Sequence, residues 1–229
     1  MRRIILVTVA LTLLAAGCGK SGTSDLSGAT TAPASKTATT TTKATTTAAP
    51  TTPKVPAYRL LSQEELTGAL LGVQDLPAGY SQDPPGTDNT EKTFCDYKPP
   101  FAFKVKARQD FTKGGGMSAE NLSLGLRQYA STEEAKAAFG ALTDVLASCT
   151  GETYQGAKLT YAPMSAPKVG DASVGVKINA DGTDLLQIFA LVGPTLINTG
   201  GGGLMNASAD DVNSLLETQV KAYQAAAAQ

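Results

Sequence analysis

The chain has three cysteines and no histidine, and this limits the chemistry it can perform. Without histidine it can build neither a Ser-His-Asp nor a Cys-His nucleophile, and it lacks the commonest zinc ligand. A serine nucleophile with a lysine base has the spacing S-x-x-K, which occurs once, at residues 165–168. A proline inside that stretch, without supporting SDN or KTG motifs, argues against catalysis there.

Three acidic pairs are the other candidates for chemistry: Glu64-Glu65, Glu133-Glu134 and Asp210-Asp211. Each pair follows a serine at the spacing of a helix N-terminus, where negative side chains stabilise the helix dipole. We therefore interpret them as capping residues. A carboxylate pair for glycoside hydrolysis is the alternative, which would make the protein a hydrolase acting on the cell wall. We predict no enzyme activity, no catalytic residue, no metal site and no cofactor.

Residues 1–17 are predicted to be a lipoprotein signal peptide that ends before Cys18. Arg2 and Arg3 precede an apolar run at 4–17. As a helix this run would be about 20 Å long, shorter than the roughly 30 Å hydrocarbon core of a bilayer. It ends in LAAGC, which resembles the bacterial lipobox, although the leucine stands one place further from the cysteine than usual. We expect lipid on Cys18 to anchor the chain to the outer face of the cell membrane; a plain secreted protein is the alternative.

Residues 18–56 are rich in Thr, Ala, Ser and Pro and carry a net charge of +3. Such a stretch cannot bury enough apolar surface to offset its ordering entropy, so we expect a disordered linker. The remaining residues, 57–229, contain 13 Lys and Arg against 19 Asp and Glu, a net charge of −6. An acidic domain is a poor partner for nucleic acid, because phosphates are recognised largely by Lys and Arg.

Cys95 and Cys149 remain once Cys18 is assigned to the lipid, and they are expected in an oxidising compartment. An even number of cysteines in that environment predicts a disulfide. This bond would pin the loop that contains Cys95 to the helix that ends at Cys149. A redox-active or nucleophilic pair of thiols is the alternative, but no C-x-x-C spacing supports it.

The elements that must position these residues follow from capping signals and apolar periods. Ser62, Ser131 and Ser208 each begin a pattern with helical spacing. A period of two predicts strands at 103–108, 122–127, 172–179, 184–192 and 195–199, with 158–162 a weaker candidate. Short turns between these strands favour an antiparallel meander, and we expect the helices to cover one face of it. The predicted fold is α+β: a sheet of about five or six strands with about three helices, forming one domain at 57–229.

Two glycine runs and one basic row are further candidates for a site. The run at 114–116 is expected to turn one strand into the next. The run at 200–203 is expected to connect the last strand to the last helix, with a phosphate-binding loop as the alternative. Lys104, Lys106 and Arg108 would project from one face of a strand. Such a row is a solvated surface or an anion-binding patch.

Several stretches together resemble the sensor-domain lipoproteins of actinobacteria, which are related to the extracellular domain of mycobacterial serine/threonine kinases of the PknH type. They are the lipobox, the Thr-rich stalk, DLPAGY at 75–80, CDY at 95–97, a helix ending in Cys149, and GDAS at 170–173. The likeness covers most of residues 60–225. It implies an α+β domain with disulfides and a cleft for an extracytoplasmic ligand, and it implies no catalytic residues. The kinase relatives have more cysteines, of which only Cys95 and Cys149 have counterparts here.

The sequence therefore favours a lipid-anchored, extracytoplasmic protein whose domain binds a ligand or senses it without catalysis. The ligand would be a lipid, a cell-wall fragment or a partner protein, and its binding residues cannot be named from sequence. We expect a cleft on the apolar side of a half-covered sheet, near Leu204 and Met205. A deep cleft with two facing acidic residues would instead favour the hydrolase. The absence of a sizeable pocket would favour a purely structural surface protein.

Overall fold

A computed structural model describes residues 57–85, 93–203 and 208–228 of the chain. The predicted signal peptide, Cys18, the predicted linker, Leu204 and Met205 lie outside these residues. Within the described ranges, no helix combines the length and the apolar character needed to cross a membrane.

Three α-helices and eight strands are the main elements of the described part of the chain. The helices are α1 (Gln63–Gly68), α2 (Thr132–Ser148) and α3 (Ala209–Ala227). The strands are β1 (Tyr80–Gln82), β2 (Val105–Lys113), β3 (Glu120–Gln128), β4 (Gly151–Tyr154), β5 (Ala157–Met164), β6 (Ala172–Ala180), β7 (Thr183–Val192) and β8 (Thr195–Gly203). The sequence did not predict β1 and β4, which have only three and four residues, because so short a stretch shows no apolar period.

All eight strands form one antiparallel sheet in the order β1-β2-β3-β8-β7-β6-β5-β4. Strands β1 to β3 pair in chain order, and so do β4 to β8. The two meanders are joined where β3 pairs with β8. The predicted α+β class and antiparallel sheet are confirmed, with more strands than expected. Because β3 is near the middle of the sheet and β4 is at its edge, the connection through α2 must cross the sheet.

One face of the sheet, which we call the closed face, is covered by α1 and α3. Its buried core includes Leu66 of α1, Phe111 of β2, Ile188 of β7 and Leu216 of α3, none of which is exposed. The other face, which we call the open face, carries α2, whose main contacts are with β5, β7 and β8. Helix α2 does not cover the half of the open face that is formed by β2 and β3.

The prediction that all helices cover one face is wrong, since α2 lies opposite α1 and α3. Strand β7 shows the physical reason, because its residues 188–192 are all buried and point alternately to the two faces. A strand that is apolar without interruption is typical of burial on both sides. The sheet therefore needs a helix on each face to remove its apolar residues from water.

Each helix begins at the predicted serine. The Ser62 hydroxyl accepts a hydrogen bond from the Glu65 amide at 3.2 Å, and the Glu65 carboxylate accepts one from the Ser62 amide at 2.8 Å, which completes a capping box. The hydroxyls of Ser131 and Ser208 accept from amides in the first turns of α2 and α3. The three acidic pairs lie in these first turns, as the capping interpretation requires.

Two buried glutamine side chains tie the N-terminal segment to the closed face. The Gln128 amide group accepts from the Leu61 amide at 2.9 Å and donates to the Leu61 carbonyl at 2.8 Å. The Gln219 amide group accepts from Leu71 at 3.0 Å and donates to Ala69 at 2.8 Å. These pairings satisfy backbone groups that burial would otherwise leave without partners.

The glycine run 200–203 is part of strand β8, so the prediction of a connector there is wrong. Its residues pair with β3 on one side and with β7 on the other. A Cβ built on Gly201 would lie only 2.5 Å from Cγ2 of Val212 in α3. Without a side chain at this position, α3 can lie close against the sheet. The run is therefore explained by close packing of backbone and helix rather than by a phosphate-binding loop.

Candidate ligand-binding cleft

A cleft of about 400 Å³ lies on the open face. Its floor is formed by β2, β3, β8 and β7, and α2 contributes Leu142 to its lining. The segment 93–103, which precedes β2, contributes Phe94, Tyr97 and Phe103. The volume is in the range of roughly 300–1,000 Å³ that is typical of small-molecule sites. The cleft exists because α2 covers only the β5–β8 half of the open face.

The register of the strands places the residues of the floor in rows across the sheet. Lys106 of β2 lies directly opposite Arg127 of β3. Arg108 lies opposite Gly125, which is paired in turn with Asn198 of β8. A Cβ built on Gly125 would collide with the Asn198 side chain, so the missing side chain makes room for this amide. The strand pairing thus brings polar side chains that lie far apart in the sequence close together on the floor of the cleft.

Positive charge is concentrated at the β2 end of the cleft. Lys106, Arg108 and Arg127 are in the lining, and none of the lining residues that the structure describes is acidic. Arg108 donates from Nε and Nη2 to the Asp110 carboxylate at 2.9 and 3.1 Å, which brings one negative charge close to this end. The Lys106 ammonium lies 6.0 Å from the centre of the Phe103 ring. This end therefore combines three cationic side chains with an aromatic ring.

Apolar side chains form the opposite end, beneath α2. Phe189 of β7, Leu196 of β8 and Leu142 of α2 are at most 5% exposed and line the cleft together. Phe94 packs edge-on against Phe189, with the ring centres 6.0 Å apart. This end offers apolar contact and no charge, so the cleft changes from cationic to apolar across four strands.

The wall formed by the segment 93–103 is held by a disulfide between Cys95 and Cys149, whose Cα atoms are 6.2 Å apart. Cys149 caps the C-terminus of α2. Cys95 and Asp96 have left-handed backbone conformations, with φ of 42° and 57°, which residues other than glycine rarely adopt. The Cys95 amide also donates to the Glu152 carboxylate at 3.0 Å. Covalent and hydrogen bonds thus fix the turn that carries Phe94 into the cleft.

Two tyrosines fasten the same wall from either side. The Tyr97 hydroxyl donates to the Ala138 carbonyl of α2 at 2.9 Å, and burial raises the pKa of Tyr97 to about 12. The Tyr161 hydroxyl of β5 donates to the Glu152 carboxylate. Burial raises the pKa of Tyr161 above its ordinary value, and Glu152 raises it further. Both phenols remain neutral donors at ordinary pH, so they are fixed anchors for the wall.

Some of the residues singled out in the sequence line the cleft, and others lie outside it. Lys106 and Arg108 of the basic row line the cleft, whereas Lys104 does not. Ser165 and Lys168 of the S-x-x-K spacing are exposed in the connection between β5 and β6 and lie outside the lining. In the described part of the chain, no three His, Cys, Asp or Glu side chains are grouped so as to hold a metal ion.

Several lining residues were missed by the sequence reasoning. Arg127 ends the alternating pattern of 122–127 and would have been a candidate if the register with Lys106 had been known. Asn198 and Gln187 lie within apolar strands, where a polar residue on the open face is a recognisable signal. The aromatic residues of segment 93–103 are not spaced with the period of a helix or a strand, because this segment is irregular. Periodicity therefore could not identify them.

Comparison with solved structures shows which known fold the chain resembles. No protein-family model and no curated protein matches the chain. Among solved structures, the extracellular domain of PknH from Mycobacterium tuberculosis matches with a TM-score of 0.56 and 11% identity, over 74% of this chain and 98% of that one. An uncharacterized Rv0999 ortholog from Mycobacterium smegmatis matches with a TM-score of 0.37 and 12% identity, over 51% of this chain and 64% of that one. The chain thus resembles the extracellular domain of PknH and shares its fold.

Proposed function

We propose that the protein is a lipid-anchored, extracytoplasmic lipoprotein whose domain binds a ligand without catalysing a reaction. The observation that carries this proposal is the cleft on the open face, which has one cationic end and one apolar end. Concave sites with a largely apolar lining and a few convergent polar groups are typical of small-molecule binding. A purely structural surface protein would have no need of such a cleft.

The lining of the cleft favours binding over hydrolysis. A glycosidase needs two carboxyl groups facing one another across the scissile bond. Among the described lining residues there is no Asp or Glu, and the acidic pairs of the sequence lie at helix starts instead. The phenols of Tyr97 and Tyr161 are engaged with the wall of the cleft and have raised pKa values, which makes them poor bases.

Two features support a place outside the cytoplasm. A disulfide is typical of exported proteins, and Cys95 and Cys149 form one here. The fold is that of a domain described as extracellular. With the lipobox-like stretch at Cys18, these observations favour anchoring at the outer face of the membrane, where the domain would meet lipids, wall fragments or partner proteins.

Native mass spectrometry of the full chain tests both parts of this proposal. The protein is produced in an actinobacterial host, and a Cys18→Ser variant is the matched control. We expect an excess mass that survives denaturation in the wild type alone, since acyl chains on Cys18 are covalent. We also expect a second excess mass in both forms that is lost on denaturation and represents the ligand of the cleft. If Cys18 carries no lipid, the anchor is refuted; if neither form carries or takes up a ligand, the binding function is refuted.

A further inference from the structure

We infer that the cleft binds a neutral N-acetylated sugar, with its acetamido group at Asn198 beside Phe189 and its ring hydroxyls at Ser123 and Gln187. This inference rests on the proposed binding function and specifies the chemistry of the ligand. It is supported by the uncharged hydrogen-bonding groups in the cleft, by their arrangement on the floor, and by the apolar side chains beside them.

The charged side chains of the cleft do not call for a charged ligand. Lys106, Arg108 and Arg127 each have an interaction partner within the protein. For Arg108 this partner includes Asp110, whose carboxylate accepts from Nε at 2.9 Å. The Lys106 ammonium lies over the Phe103 ring. An anion would have to compete with these contacts, whereas a neutral ligand leaves them in place.

The first support is a set of three uncharged polar side chains on the floor. Ser123 of β3, Gln187 of β7 and Asn198 of β8 line the cleft, and each is partly exposed. In the part of the chain that the structure describes, none of the three has a hydrogen-bond partner for its side chain. One hydroxyl and two amides offer both donors and acceptors. Sugar hydroxyls have the same double character and can pair with all three.

The second support is that these groups converge on one small area. Ser123 and Gln187 are the partners of Gly200 on its two neighbouring strands. A Cβ built on Gly200 would lie 2.7 Å from Oγ of Ser123 and 3.6 Å from Cγ of Gln187, so both side chains lie close to this glycine. Asn198 is two residues away on the same strand and therefore on the same face. A ligand with polar groups around its edge can meet all three side chains at once.

The surroundings of Asn198 favour an acetamido group over a hydroxyl. Asn198 is paired with Phe189 of β7, and Leu196 precedes it by two residues on the same face of β8. Phe189 and Leu196 both line the cleft. An acetamido group has a carbonyl and an N–H that a side-chain amide can match, and a methyl group that needs apolar contact. The amide and the apolar side chains stand next to each other here, as this ligand group requires.

The third support is the aromatic wall of the cleft. Tyr97 and Phe103 line it and are each half-buried, so part of each ring is open to a ligand. A sugar ring has polar edges and a face of C–H groups, and this face can pack against an aromatic ring. A long acyl chain would instead cover the hydroxyl and the amides of the floor without giving them partners, which is unfavourable. The volume of about 400 Å³ suits a short sugar fragment or the end of a chain.

Ligand-detected NMR with N,N′-diacetylchitobiose tests this inference directly on the full chain. Cellobiose is the matched control, because it has the same two rings and linkage with a hydroxyl in place of each acetamido group. We expect diacetylchitobiose to bind about tenfold more tightly, since only its acetamido group meets both Asn198 and Phe189. In saturation-transfer spectra, an acetamido methyl should receive the strongest signal from the protein.

Two variants then assign the binding to the floor of the cleft. Asn198→Asp keeps the shape of the side chain but removes its N–H donor, and it should weaken diacetylchitobiose about tenfold. Ser123→Ala removes one hydroxyl and should weaken it about fivefold. Asn121→Asp is the matched control, because Asn121 is an exposed residue of β3 outside the lining. It should leave the affinity unchanged. Circular dichroism and thermal unfolding verify that all three variants fold.

Two results would overturn the inference. One is cellobiose binding as tightly as diacetylchitobiose, and the other is an affinity that the Asn198 and Ser123 variants do not change. If diacetylchitobiose fails to bind and native mass spectrometry finds a molecule of another class, such as a lipid, the sugar is refuted and the binding function stands. If it fails and no bound mass is found, both are refuted. Chitin beads identify the source: retention on them supports the end of a glycan chain, and binding of the disaccharide alone supports a free fragment.

Discussion

The two faces of the sheet are built in different ways. The closed face is covered by α1 and α3, which pack apolar side chains on it, and two buried glutamines fasten the N-terminal segment to it. The open face is covered over one half only, by α2, and the segment 93–103 is attached to the end of that helix by a disulfide. The closed face is thus packed by two helices over β2, β3, β8 and β7, and the open face by one helix over β5 to β8.

This difference separates stability from binding. Where α1 and α3 pack against β2, β3, β8 and β7, the closed face has no room for a ligand, since protein interiors are packed as densely as organic crystals. A face that is half covered leaves a step at the edge of the covering helix, and the cleft lies at this step. We therefore expect changes on the closed face to lower stability and leave the cleft unchanged, and changes in the wall of the cleft to affect both stability and the cleft. Three measurements bear on this comparison.

The largest effect is expected from the double variant Cys95→Ser/Cys149→Ser. These residues are 54 positions apart, and the chain-entropy model gives a loss of about 4 kcal/mol in the free energy of unfolding. Urea denaturation measures the loss, and hydrogen exchange shows where it acts. We expect amide protection to fall first in 93–103 and near the start of β4. Equal loss of protection in α3 would show that the two faces are not independent.

A smaller effect is expected from Leu216→Ala on the closed face. Leu216 is fully buried in α3, and truncation of such a residue lowers the free energy of unfolding by about 3 kcal/mol. Met117→Ala is the matched control, because this side chain is 72% exposed and its loss should change stability little. The NMR chemical shifts of residues 93–103, which form the wall of the cleft, should be the same in both variants under folding conditions. Shifted resonances of this segment in Leu216→Ala alone would contradict the separation of the faces.

A further effect is expected at alkaline pH. Burial raises the pKa of Tyr97 beside the cleft to about 12, and burial also raises that of Tyr80 on the closed face to about 12. Because the folded pKa exceeds the ordinary value of about 10, the neutral phenols stabilise the fold fully below pH 10 and lose this contribution as the pH rises toward 12. The free energy of unfolding should therefore fall over this range.

The variant Tyr97→Phe separates the two faces in the alkaline experiment. It should make the fall less steep, because one of the shifted phenols is gone. Denaturation at several pH values, with tyrosinate absorbance as a second readout, measures the slope. An unchanged slope in Tyr97→Phe would show that this phenol is not held neutral by the wall of the cleft.

Local signals in the sequence predicted the framework of the fold. Ser62, Ser131 and Ser208 begin helices because a serine followed by acidic residues satisfies the free amides of a first turn, and this effect needs no tertiary context. The alternating apolar and polar residues of β2 and β3 were also recognised, because a period of two is likewise a local signal. What failed was the arrangement of layers, because the face on which α2 lies depends on the pairing of β3 with β8, a contact between residues far apart in the chain.

The cleft was predicted only in part. A half-covered sheet face was expected, and Lys106 and Arg108 were recognised as a basic row. The cleft does lie on such a face, while the expected contribution of Leu204 and Met205 falls outside the described residues. Arg127 and Asn198 enter the site through strand register, which periodicity does not supply. The segment 93–103 enters it through the disulfide.

The glycines of β8 have a consequence for how the chain tolerates mutation. A run such as 200–203 resembles low-complexity sequence, in which substitutions usually matter little. At Gly201, however, even an alanine would press against Val212, which is fully buried and has no space to move. In a saturation mutagenesis experiment this plain stretch should be among the least permissive of the domain, while the chemically richer basic row should accept many replacements. Sequence drift among relatives would then preserve the glycines and vary the cations, so that one scaffold could come to serve different ligands.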